Sequence, residues 1–107
     1  MYIFKVYVYR VIDWSQIVGF DWDSGNALKN VDKHGISCEE AESVFSQQEI
    51  LVLKDESHSQ AEERWHGFGR SNQDRLLSVT FTVRKNLLRV ISARPMNKRE
   101  RKHYALD

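Results

Sequence analysis

Residues Arg75 to Ala93, RLLSVTFTVRKNLLRVISA, read as two strands joined by a short turn. Leu77, Val79, Phe81 and Val83 alternate with Ser78, Thr80, Thr82 and Arg84, so one face is apolar and the other carries hydroxyls and an arginine. Alternation with a period of two is the signature of a half-buried strand, predicted here over Leu76 to Arg84. Lys85-Asn86 supplies a hairpin turn, and Leu87 to Ala93 returns antiparallel. The frame is therefore an antiparallel sheet, and the other elements must be fitted to it.

Working outward toward the N-terminus, Arg64 to Gly69 reads as a strand and Arg70 to Asp74 as the turn that follows it. Ile50 to Leu53 is a short apolar run, and Asp55 to Ser59 is a polar loop. Before these come two helical stretches. Asp23 or Ser24 can cap the first, whose apolar positions include Ala27, Leu28 and Val31. Gly35 suits its C-terminus, with Lys33 and His34 in the last turn where the helix dipole favours cations. Ser37 and Glu40 predict a capping box on the second helix, Ser37 accepting from the Glu40 amide while Glu40 reaches back. Ala41, Val44 and Phe45 form its apolar stripe. Residues 2–11, rich in Tyr, Val, Ile and Phe, are a candidate strand. Beyond the hairpin, Pro95 suits the first position of a helix or the approach to one, and Met96 to Leu106 reads as a basic final helix. This order predicts an α+β fold: an antiparallel sheet of about four to five strands, two N-terminal helices and one C-terminal helix.

A chain of 107 residues has room for one domain and one modest core. Its 41% hydrophobic and 29% charged content suits a globular protein and argues against disorder. The single Cys38 cannot form an internal disulfide, which points to a reducing compartment. No apolar run approaches the roughly 18 residues of a membrane span. Lys5 and Arg10 interrupt the opening MYIFKVYVYR as a signal peptide would not be interrupted, so a cytoplasmic location is expected. The net charge of +1 hides a sorting of charge along the chain. Between Ser37 and Glu63 acids prevail; from Arg84 onward Arg84, Lys85, Arg89, Arg94, Lys98, Arg99, Arg101 and Lys102 face only Glu100 and Asp107. The basic tail is either a surface for phosphate or an acidic partner, or a solvated helix and strand ends.

FDWD at Phe20–Asp23, NVDKHGISCEEAESVF at Asn30–Phe45, and the segments Asp55–Ser71, Arg75–Arg84 and Arg89–Tyr104 occur in an order that resembles the BrnT family of type II toxin–antitoxin toxins. The resemblance implies a RelE-like fold and a metal-independent endoribonuclease, without cofactor, that inhibits translation by degrading RNA. It implies a BrnA-type antitoxin as partner, with a ribbon-helix-helix portion through which alone the complex would touch DNA and repress its operon. Residues 1–19 lie outside the likeness and read as an N-terminal extension with a candidate extra strand; residues 20–107 read as a single toxin domain. Cys38 stands where the family usually has an aromatic, and Asp74 where it usually has glycine.

Metal-free RNA cleavage needs a base for the 2′-hydroxyl proton, cations for the charge on phosphorus, and an acid for the leaving 5′-oxygen. The guanidinium fork suits the second task. The candidate catalytic residues are His58, Glu63, Arg64, Arg84 and Arg94, and the candidate substrate-binding residues are Lys33, His34, Arg75 and Arg89. Structural readings stand beside these. His58 can cap its loop through Asp55 and Ser59, and His34 can simply end a helix. Glu62 and Glu63 can pair with Arg64, Arg75 or Arg94 across strands, and Arg94 can tie the sheet to the final helix. Trp14, Trp22 and Trp65 suit a core better than a base-stacking platform. His34, His58, His66 and His103 show no metal-ligand spacing. The nuclease reading expects arginines from neighbouring strands to converge on one solvent-open patch. A module that binds RNA or ribosome without cutting, and a co-repressor acting only through the antitoxin, remain open alternatives.

Overall fold

A computed structural model describes residues 5–6, 12–46, 50–58 and 62–106, excepting the side chains of 5–6, 28–32, 58 and 106. Its centre is the predicted meander: β3 (Leu51–Lys54), β4 (Trp65–Arg70), β5 (Leu76–Arg84) and β6 (Leu87–Pro95), each antiparallel to the next. Two short strands extend it, β1 (Lys5–Val6) parallel to β3 and β2 (Gly19–Phe20) parallel to β6. The sheet is therefore six-stranded and mixed, in the order β1-β3-β4-β5-β6-β2. β1 lies within the candidate strand of residues 2–11, whereas β2 and the parallel pairing of both edges escaped the sequence reading, because a strand as short as β2 carries no periodicity.

The turn between β5 and β6 is a two-residue loop in which Lys85 and Asn86 both have positive φ, 51° and 68°. That is the type I′ geometry whose twist matches the strands it joins. Asp74, before β5, also has positive φ, at 61°. A glycine there would be unstrained, and Asp is one of the few other residues that tolerates this region.

Alternation along β5 divides the sheet. Leu77, Val79 and Phe81 are fully buried on the inner face with Val44, Val52, Leu88, Val90 and Ala93. Phe81 is the hub: Phe45 meets it edge-on at 5.0 Å, and the Trp65 and Trp14 rings lie at 6.0 and 6.1 Å. Ile12 is also buried in this core, with Trp14 and Ile17 packed against it, so residues preceding the family-like segment contribute to the same hydrophobic centre.

Helix α1 (Ser24–His34) begins at Asp23, whose carboxylate accepts from the Gly25 and Asn26 amides at 2.9 and 3.1 Å. Asn26 is buried and fastens the helix start to the sheet, donating to the Val90 carbonyl at 2.8 Å. The helix ends at Gly35, φ 66°, as its position required. Ser37 caps α2 (Cys38–Ser43) by accepting from the Glu40 amide at 3.1 Å. The reciprocal half of the expected capping box is replaced: the Glu40 carboxylate turns to Ser71 and Arg75.

Pro95 closes β6 and does not open a helix, because the Met96 amide still bonds to the Leu76 carbonyl at 2.9 Å. Helix α3 (Lys98–Leu106) starts instead at Asn97, with a full capping box: Glu100 N donates to Asn97 Oδ1 at 2.8 Å and Asn97 N to Glu100 Oε1 at 2.9 Å. The helix lies over part of the outer sheet face, where Met96 and Tyr104 pack with Leu51, Phe68 and Leu76 in a second, smaller apolar cluster.

Candidate functional site

On the outer face, strand register builds rungs of side chains, one of them beneath α3. One rung is Leu53, His66, Thr80 and Ser92; the next is Leu51, Phe68, Ser78 and Arg94; on the other side Thr82 pairs with Arg89. Rungs lie about 7 Å apart, two residues along a strand. The hydroxyl column expected on β5 is not an open one: Ser78 and Thr82 are buried, Thr82 donating to the Glu63 carbonyl at 2.7 Å, while Thr80 is half-buried.

The arginines do not converge on one open patch. Arg75 and Arg84 bracket β5 and are separated by nine residues, about 30 Å of extended chain. Arg75 lies on the helical side, where its Nε donates to Glu40 Oε2 at 2.8 Å and its Nη2 to the Gly35 carbonyl at 3.0 Å and to Glu40 Oε1. Glu40 is 4% exposed and also accepts from Ser71 Oγ at 2.6 Å. These bonds, the Arg75 pairing first, hold its carboxyl below the ordinary carboxylate range despite burial. Lys33 and His34 close α1 beside Gly35, the residue whose carbonyl Arg75 holds. Together with Arg75 they belong to a helix-end region remote from Arg84.

At the other end of β5, Arg84 Nε donates to Glu62 Oε2 at 2.5 Å and its Nη2 to Glu62 Oε1 at 3.1 Å. The pair is substantially exposed, and it borders a cleft of about 550 Å³ lined also by Asp21, Lys85 and Leu87. Hydrogen bonds from Arg84, reinforced by the charges of Arg64 and Arg89, hold the Glu62 carboxyl low. Arg89 pairs with Asp23 at 2.8 Å and Asp21 at 3.4 Å. Arg94 makes a two-point fork on Glu100, 2.7 and 2.8 Å, which ties β6 to α3. Glu63 meets Lys54 at 3.1 Å. Of the partners expected for Glu62 and Glu63, Arg64 acts on Glu62 through its charge, while Arg75 and Arg94 pair with Glu40 and Glu100, and Arg84 and Lys54 supply hydrogen bonds to Glu62 and Glu63. Arg75, Arg84, Arg89 and Arg94 are each matched to a carboxylate. Backbone at His58 forms a short 3₁₀ turn, Glu56–His58, but its side chain lies outside the described residues. Burial, and then Glu39 and Glu42, push the Cys38 thiol up, which disfavours its thiolate.

A profile of the family described as the ribonuclease toxin, BrnT, of type II toxin–antitoxin systems matches residues 22–100. The chain belongs to the BrnT family. Among solved structures, the crystal structure of the Brucella abortus ribonuclease toxin BrnT superposes with a TM-score of 0.54 at 24% identity, over 76% of this chain and 99% of that one. At that identity the likeness speaks for the fold. A comparison with curated proteins found no match. The described chain is α+β, with helices before and after an antiparallel meander, as expected of a BrnT toxin. No helix among the described residues of this BrnT chain is long and apolar enough to cross a membrane.

This BrnT chain also carries a polar group that the sequence reading passed over. His66 Nδ1 lies 2.9 Å from Thr80 Oγ1, and its Nε2 lies 3.2 Å from Asp55 Oδ2. The signal was present in Trp65-His66-Gly67: if Trp65 points into the core, alternation puts His66 on the face of Thr80. Metal-ligand spacing was the wrong criterion for it.

Proposed function

We propose that this chain is the RNA-cleaving toxin of a type II toxin–antitoxin pair: a metal-independent endoribonuclease that inhibits translation and is neutralised by a BrnA-type antitoxin. The observation that carries the reading is family membership joined to an outer sheet face that presents the half-buried Thr80 and the part-exposed Arg84 and Arg94. Arg84 is the best-placed phosphate ligand. Its exposed pairing with Glu62 contributes little in water, so a phosphate can displace the carboxylate. Arg64 and Arg89, whose charges reach Glu62, would add to the field at that cleft. Glu63 and His58 remain acid–base candidates on the strand-connecting segment, and Arg94 a second cation on the same face as Thr80. Lys33, His34 and Arg75 would have to meet RNA elsewhere, and the burial of Glu40 gives Arg75 a structural task first. The 2′-hydroxyl explains a preference for RNA over DNA. Repression of the operon would come through the ribbon-helix-helix portion of the antitoxin, with DNA contacted only there.

The pairing of Arg75, Arg84, Arg89 and Arg94 with carboxylates favours a second reading, a module that binds RNA or ribosome, or acts as co-repressor, without cutting. Inducible expression followed by sequencing of RNA 5′ ends separates the two. The nuclease reading expects growth arrest and new 5′ ends, both reduced in an Arg84→Ala, His58→Ala double variant that still folds. Arrest with intact RNA supports the binding module, and no arrest supports the co-repressor.

A further inference from the structure

Asp55, His66 and Thr80 form a hydrogen-bonded chain of carboxylate, imidazole and hydroxyl on the open face. We propose that His66 is the base of the cleavage reaction and takes the 2′-hydroxyl proton through Thr80, with Asp55 as its positioning residue. The inference rests on the ribonuclease reading above and adds to it the group that moves the proton.

The protonation pattern follows from the partners. An ionised carboxylate only accepts, so Nε2, facing Asp55, carries a hydrogen, and in the neutral ring Nδ1 is left as the acceptor facing the Thr80 hydroxyl. Asp55 is itself fixed: Oδ1 accepts from Ser57 Oγ at 2.9 Å, and its amide donates to the Arg64 carbonyl at 2.8 Å. Exposure is graded suitably, with the Asp55 side chain 11% exposed and that of His66 30%. The orienting group is sheltered while the ring edge stays within reach of a ligand. A base held by a third group and hydrogen-bonded to a hydroxyl is the arrangement proton transfer requires. Charged groups around it are Asp55, Glu100 on α3, and Arg94, whose fork onto Glu100 holds that carboxyl low. Arg94 sits one rung from Thr80 on the paired strand.

In the step, the Thr80 hydroxyl gives its proton to Nδ1 and takes one from the 2′-hydroxyl. The 2′-oxygen bonds to phosphorus as the bond from phosphorus to the 5′-oxygen breaks, and that oxygen leaves with a proton from water. The products are a 2′,3′-cyclic phosphate and a 5′-hydroxyl, and the imidazolium beside Asp55 returns its proton to solvent.

The test uses the purified full chain with transcribed messenger RNA, alone and in a reconstituted translation mixture. His66→Gly should lower the cleavage rate by at least about 100-fold, the usual worth of a positioned base, and free imidazole should restore part of it. A merely structural histidine would not respond to imidazole. Thr80→Val should lower kcat more than it raises KM, and covers the case in which the histidine variant does not fold. Asp55→Asn should lower kcat with KM little changed. Cleavage by His66→Gly or by Thr80→Val within about threefold of the unmodified chain overturns the proposal and leaves the nuclease reading intact. An unmodified chain that cuts no RNA in either mixture overturns both.

Discussion

Glu40 and Arg75, 35 positions apart, close a bridge that binds the start of α2 to the start of β5 and, through the Gly35 carbonyl, to the end of α1. Three elements meet at one nearly buried carboxylate. Glu40→Ala should leave the guanidinium and Ser71 without their acceptor and destabilise the fold by about 2–3 kcal/mol. That is below the roughly 3–5 of a fully buried pair, because Arg75 is 38% exposed. Urea denaturation followed by circular dichroism measures it; a loss under 0.5 kcal/mol would mean that the bridge is incidental.

Acid should weaken the fold through the same group and two others. The carboxyls of Glu40, Glu62 and Glu100 are held below their ordinary value near 4.5, in each case first by hydrogen bonds from an arginine. A lowered folded value means that the unfolded chain takes up protons first, so the stabilisation is complete above pH 4.5 and is lost as pH falls through the folded values. Melting temperature should be flat from neutrality to about pH 5 and fall below it. Glu40→Gln should melt lower at neutral pH and show a shallower acid decline.

At the opposite end of β5, the Glu62 carboxylate covers Arg84 with two hydrogen bonds. Glu62→Gln should tighten binding of single-stranded RNA several-fold while leaving the melting temperature nearly unchanged. Arg84→Ala should weaken binding and reduce its dependence on salt. Fluorescence anisotropy over a salt series reads both. Equal affinities for all three chains would remove Arg84 from the RNA surface.

The exposed basic side of α3 should receive the antitoxin. Arg99 lines a cleft of about 350 Å³ floored by the apolar Leu51, Leu53 and Phe68, and Lys102 is exposed on the same helix. An acidic, amphipathic segment would satisfy both floor and rim. Arg101, by contrast, is engaged with the Met96 carbonyl at 2.7 Å and so is a poor test position. Arg99→Glu with Lys102→Glu should weaken association with a BrnA-type antitoxin at least tenfold in calorimetry, with little change in melting temperature. Unchanged affinity would rule out this docking surface.

The meander, its type I′ turn, the Gly35 stop and the two faces of β5 were legible in the chain because each depends on neighbours a few residues apart. Hydrophobic periodicity and turn chemistry are local properties. The same locality misled at the start of α2. A glutamate three residues after a cap serine fitted a capping box at α2, yet Glu40 serves Arg75, and the complete box belongs to Asn97 and Glu100.

What the amino-acid order determined by itself was the α+β class and the kinds of group on the outer face: hydroxyls along β5, arginines at its ends. Which carboxylate each arginine meets was decided only by tertiary structure, since those partners lie 22, 35 and 66 positions away for Arg84, Arg75 and Arg89. The chain holds 15 acidic residues, all chemically able to pair, so composition cannot choose among them. Strand register chooses, as it also sets His66 beside Thr80, by fixing side chains within hydrogen-bond reach whatever their separation in sequence.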